Sequence, residues 1–208
     1  MTRNSLKWLG AVFTVATLVA IPAMAQFTEH TPTKEDPLRF SAFAVQMEAG
    51  ISGVVDIAIE RWSTDAERAQ LVGMVKATNA ENYRQQEDLV KALQKISPRV
   101  GFIRTPNSMG WDLRYAYETK LPDGSRQIVI ATDKPISFGA AASQSQSTDY
   151  AFTLIQMQFP AGKNKGEGKM LAQSSIGVKN GRLEIEMYGQ EPVRFTEVTE
   201  AKDKKKKS

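Results

Sequence analysis

The sequence predicts a β-dominated α+β fold: an antiparallel meander of about eight strands, barrel-like or curved into a sheet or sandwich, with a two-helix hairpin inserted after the N-terminal strands. Three observations carry this. Short segments of alternating polarity recur along the chain, turn signals separate them at regular spacing, and the apolar period lengthens to that of a helix only between about residues 64 and 96.

Leu38–Met47 and Ser52–Trp62 read as the first strands, broken by Gly50 and Gly53; the second sets Val55, Ile57 and Ile59 on one face and Asp56, Glu60 and Trp62 on the other. After Trp62 a helix begins, because Thr64 and Glu67 have the spacing of a capping box. It runs to about Ala77 with Ala69, Val72 and Val75 on one face and Gly73 as a weak spot. A second helix, Ala80–Ile96, aligns Tyr83, Leu89, Val90, Leu93 and Ile96 before Pro98 stops it. Each helix has a single apolar stripe, so the hairpin is expected to pack on the sheet or to cap one end of it.

Strand character returns at Gly101–Thr105 and at Gly110–Glu118, where alternation places Trp111, Leu113, Tyr115 and Tyr117 on one face and Asp112, Arg114 and Glu118 on the other. Pro122-Asp123-Gly124 is a hairpin turn leading into Gln127–Thr132, whose unbroken apolar run marks a central strand. The small polar stretch 139–147 reads as a mobile loop, and Asp149–Phe159 as the longest strand. A Gly/Lys turn over 161–168 precedes Lys169–Val178; Lys179-Asn180-Gly181 turns into Arg182–Tyr188, and Val193–Val198 finishes the domain.

The N-terminus reads as a secretory signal peptide over residues 1–25: Arg3 and Lys7, an apolar run from Trp8 to Ile21, then Pro22-Ala23-Met24-Ala25 with cleavage after Ala25. That run of 14 residues is shorter than the roughly 20 that span a bilayer as a helix, and no comparable run follows. The expected exported chain is periplasmic or secreted, with no transmembrane segment after cleavage. It is organised as a flexible leader over 26–37, one β-rich domain over 38–200, and a disordered lysine-rich tail over 201–208.

Cysteine is absent and the only histidine is His30, in the leader. These two facts remove disulfides, thiol catalysis, a Ser-His-Asp triad and histidine metal sites from the domain. No phosphate-binding loop, dinucleotide fingerprint or calcium loop occurs, so neither cofactor nor metal is expected. The formal charge of +4 resides in the ends: residues 26–200 carry 20 basic and 22 acidic side chains, while the tail carries five lysines against one aspartate. A near-neutral body argues against nucleic acid as a partner. The tail itself is either a bland solubilising segment or a weak contact for anionic membrane headgroups.

Carboxylate chemistry is what remains. Asp56 and Glu60 share a strand face with Trp62, as a sugar site would arrange them, and Asp112 is a third candidate catalytic carboxylate. Along one strand, however, Asp56 and Glu60 are roughly 13 Å apart, wider than the roughly 5 to 9.5 Å of a glycosidase pair. Glu184 and Glu186 are closer, but a solvated strand face opposite Leu183, Ile185 and Met187 is the plainer reading. Trp62, Trp111, Tyr115 and Tyr117 could line a ligand cavity in a barrel mouth, or could be core. Arg61, Arg104 and Arg114 are candidates for ion pairs with Asp56, Asp112 or Glu60.

The segments IERWSTDAER, GFIRTPNSMGWDLRYA, IATDKPISF and DYAFTLIQMQF resemble, over most of the exported chain, a family of exported bacterial proteins of unknown function. The resemblance implies a signal peptide and a single domain, and no catalytic residues. The functional expectation is an exported, non-enzymatic binding or interaction protein taking a small apolar ligand or an envelope component; the alternative is a carboxylate-dependent hydrolase of extracellular or envelope glycans.

Overall fold

The computed structural model describes residues 30–46, 51–76, 83–105, 108–136, 152–171, 174–179, 182–187 and 193–201. The expected signal peptide and cleavage site, the expected loop 139–147, the Asn180-Gly181 turn and the lysine-rich segment from 202 lie outside the described residues, as do Ala77 and Ala80 at the inner ends of the two expected helices.

In chain order the elements are β1 (Leu38–Gln46), β2 (Ile51–Ile59), α1 (Asp65–Lys76), α2 (Tyr83–Lys95), β3 (Gly101–Arg104), β4 (Trp111–Lys120), β5 (Arg126–Thr132), β6 (Leu154–Phe159), β7 (Lys165–Leu171), β8 (Ser174–Lys179), β9 (Arg182–Met187) and β10 (Val193–Glu200). Eight strands close an antiparallel barrel in the order β1-β10-β7-β6-β5-β4-β3-β2, and β8 pairs with β9 in a separate hairpin. Apart from its two insertions the barrel is an up-and-down meander, which leaves no open sheet edge among the barrel strands.

Residues paired across an antiparallel ladder point to the same side, so the register identifies the barrel interior. Phe40 pairs with Ile57 and Ile57 with Ile103. Ile128 pairs with Met157, and Phe159 with Arg126. Phe40, Phe159 and Phe195 are among the largest fully buried side chains, and the Phe40 and Phe159 rings meet at 5.6 Å between centroids. An eight-stranded barrel is only just wide enough to be filled by its own side chains. Three phenylalanines therefore need small partners, and β7 supplies them. Gly168 pairs with both Met157 and Phe195, while a Cβ on Gly166 would meet Gln158 O at 2.2 Å and Phe159 Cδ1 at 2.8 Å.

The helical hairpin packs on the outside of the wall at β4. Ser63 stitches its entry in place: its N–H donates to Ala116 O at 2.8 Å, and its Oγ accepts from Ala116 N at 3.1 Å. The capping box forms as the sequence predicts, with Thr64 N donating to Glu67 Oε2 at 2.8 Å and Glu67 N to Thr64 Oγ1 at 3.2 Å. Arg61 grips the same carboxylate through two bonds of 3.0 Å, and this pairing holds the Glu67 carboxyl below the usual glutamate range. Leu71, Val72, Leu89, Val90, Leu93 and Ile96 are buried in the common core; Ala69, expected on the buried stripe of the first helix, is exposed instead, and Leu71 takes its place.

Two expectations need correction. The turn after β6 is shorter than the composition of 161–168 suggests, because β7 already begins at Lys165. The expected strand Lys169–Val178 is two strands in two sheets, with β7 ending in the barrel at Leu171 and β8 opening the outer hairpin at Ser174. β5 is a central strand, as its unbroken apolar run predicts: Ile128 and Ile130 face the interior, while Val129 and Ala131 pair with Tyr117 and Tyr115 on the outer side.

Replacing Gly166 with alanine should cost about 1 to 3 kcal/mol, the range for overpacking, whereas Gly53→Ala, with nothing within 4 Å of its new Cβ, should stay within about 0.5 kcal/mol. Thermal melting of the two variants checks this; equal melting temperatures would mean that the interior has slack.

Candidate functional site

The four aromatic candidates do not form one face. A β-bulge between Leu113 and Tyr115 shifts the register of β4 against β5, so the side-chain alternation expected from Trp111 to Tyr117 reverses part-way along the strand. Trp111 pairs with Ile103 and faces the interior with Leu113. Tyr115 and Tyr117 face outward beneath the helices, their rings stacked with centroids 6.5 Å apart. Arg68 of α1 lies 4.6 Å above the Tyr117 ring. Tyr115 is 2% exposed, and burial pushes its hydroxyl pKa up. Trp62, Trp111 and Tyr117 are partly buried and packed against the core. The pair Tyr115 and Tyr117 is thus the seat of the helical hairpin.

The carboxylate candidates separate in the same way. Asp56 is exposed on the outer face of β2, opposite Arg104 in register. Glu60 and Asp112 are brought together by Arg99, which the sequence reading did not single out. Arg99 donates through Nε and Nη2 to Glu60 at 3.1 and 3.0 Å, and through Nη1 to Asp112 at 2.9 Å. These bonds, Glu60's first, raise the pKa of Arg99 above its ordinary value. Arg114 extends the chain of charges, 3.5 Å from Asp112 and 3.4 Å from Asp133, so the expected Arg114–Asp112 pair is present. Arg61 is occupied by Glu67, and Arg104 lies over the Phe102 ring at 4.6 Å.

A glycosidase needs a water or a sugar oxygen between its two carboxyl groups. Between Glu60 and Asp112 that place is taken by a guanidinium, which can fasten residues 98–100 onto β2 and β4 but offers no acid. Glu184 and Glu186 pair in register with Gly177 and Ser175 on the outer hairpin.

A second arginine occupies the barrel interior at the end that carries the turns 121–125 and 160–164. Arg126 bonds Glu118 Oε1 at 3.1 Å and Glu200 Oε2, and its guanidinium lies 4.9 Å from the Phe159 ring centroid. Three charges from β4, β5 and β10 thereby close this end over the phenylalanines. Nothing in their sequence spacing marks them: Glu118 and Arg126 face each other across a hairpin, but Glu200 is 74 positions away from Arg126.

The wall made of β10, β1, β2 and β3 exposes an apolar pair. Phe43 and Val54 are direct partners in the β1–β2 register and are 43% and 45% exposed. Among the described residues no group of three or more His, Cys, Asp or Glu side chains is placed to hold a metal ion. No family model matches this chain, and neither a curated protein nor a solved structure matches it.

Arg99→Met leaves Glu60, 11% exposed at its side chain, without its partner. A buried pair broken in this way loses about 3 to 5 kcal/mol; Arg99 is 39% exposed, so solvent screening reduces the expected loss to about 1 to 2 kcal/mol. Urea unfolding measures it, and Arg99→Lys, which keeps the charge without the fork, should recover only part. A silent Arg99→Met would remove the clamp from this account.

Proposed function

We propose that this chain is an exported, non-enzymatic binding protein that works through its outer wall, by contact with another component of the cell envelope. The observation that supports this most is the filling of the barrel: three phenylalanines against the glycines of β7, with Arg126, Glu118 and Glu200 across one end, leave the interior to the protein's own side chains. The small-apolar-ligand form of the expectation needs that space. Export rests on the residues of the N-terminal segment, whose charged start, short apolar run and Ala-Met-Ala ending have the order of a cleavable signal. No helix among the described residues is long and apolar enough to cross a membrane.

The hydrolase alternative draws on one observation, the proximity of Glu60 and Asp112, and the Arg99 bridge that creates the proximity also occupies the reacting position. Native mass spectrometry of the exported chain tests the proposal. It should give the mass of the polypeptide beginning at Gln26 with nothing bound. A co-purified small molecule that is lost on Trp111→Ala, with the fold intact, would contradict the proposal and make the chain a carrier.

A further inference from the structure

The outer face of this wall, made of β10, β1, β2 and β3, alternates with the interior and can be read residue by residue. Arg39 and Phe43 come from β1, Val54 and Asp56 from β2, Arg104 from β3, and Arg194 from β10. Continuing past β10, the outward positions of β7 are Lys165, Glu167 and Lys169. Five basic side chains thus stand against three acidic ones, Asp56, Glu167 and Glu197, on a body that is slightly acidic as a whole. Phe43 and Val54 lie side by side in the middle of the basic residues, and both are more than two-fifths exposed.

The amide of Ala201 donates to Arg39 O at 2.9 Å, and the sequence that follows carries five lysines in seven residues.

We infer that the wall of β7, β10, β1, β2 and β3 docks on an anionic phospholipid surface, with Phe43 and Val54 entering the headgroup boundary and the arginines and lysines of the wall facing lipid phosphate. Two weak signals together, a small apolar anchor and a basic patch, are what reversible attachment to a membrane surface requires. Two apolar side chains on a convex wall are too few for the core of a stable protein interface, which buries roughly 800 Å² on each partner. A soluble polyanion would use the charges and leave the apolar pair in water.

The inference rests on the outer-wall reading and is tested with the exported chain, its N-terminus verified by mass. Sedimentation with phosphatidylcholine vesicles, with and without phosphatidylglycerol, should show binding only to the anionic mixture, weakening as salt rises. Arg39→Gln, Arg104→Gln and Arg194→Gln together should weaken it roughly a hundredfold, about fivefold for each charge. Phe43→Ser with Val54→Ser should weaken it about tenfold. All these positions are exposed, so unchanged thermal melting is the control for folding.

Equal binding to neutral vesicles, retention by heparin without vesicle binding, or loss on deleting 202–208 while the wall substitutions are silent would each overturn the inference. If vesicles fail but a protein partner cross-links to Phe43 or Val54, the lipid is wrong and the outer-wall reading stands; if neither binds, both fall.

Discussion

The volume inside an eight-stranded barrel is the constraint on which the rest of this structure depends. Side chains from eight strands converge on a space only just wide enough for them. Here Phe40, Phe159 and Phe195 are fully buried in it, facing Gly166 and Gly168 on β7 and alanines on β1. Once that space is full, no polar group can be accommodated there without a partner, since an unpaired buried charge costs several kcal/mol. Arg126 is tolerated because it sits at the rim, where Glu118 and Glu200 meet it and its flat guanidinium covers the Phe159 ring.

The two insertions make the outside of the barrel unequal. In the helical hairpin α2 lies against β4, and α1 lies against the β8–β9 hairpin. A two-stranded hairpin alone is marginally stable in water, so α1 supports β8–β9 on one side while it covers the tyrosines on the other. Among the described residues, neither helix makes such a contact with the opposite wall. Its character is therefore that of β1, β2, β3 and β10 themselves, with basic ends and an apolar pair between them.

The sequence made a good part of this legible. Alternation located the barrel strands, Thr64 and Glu67 announced the start of α1, and Pro122-Asp123-Gly124 announced the β4–β5 turn, in which Asp123 Oδ1 accepts from Ser125 N at 2.9 Å. What it hid has physical causes. A bulge needs one extra residue and no special composition, so the reversal of faces between Leu113 and Tyr115 left no trace. The passage from β7 to β8 falls inside a run of uniform strand character, where only tertiary pairing decides which sheet each half joins. The charged partners were missed because ion pairs are chosen in space: Arg99 reaches back 39 positions to Glu60, and two of the aromatic residues that looked like a ligand face, Tyr115 and Tyr117, were answering to the helix above them.

The central claim, that the barrel interior belongs to its own side chains, is tested most directly by following the methyl resonances of Ile128, Ile130 and Ile155, all fully buried inside the barrel, during titration with a long-chain fatty acid. A filled interior predicts that these methyls do not move, whatever happens at Val54 on the outer wall. Saturable shifts at the three isoleucines would contradict it, and would return this protein to the class of barrels that carry their ligands inside.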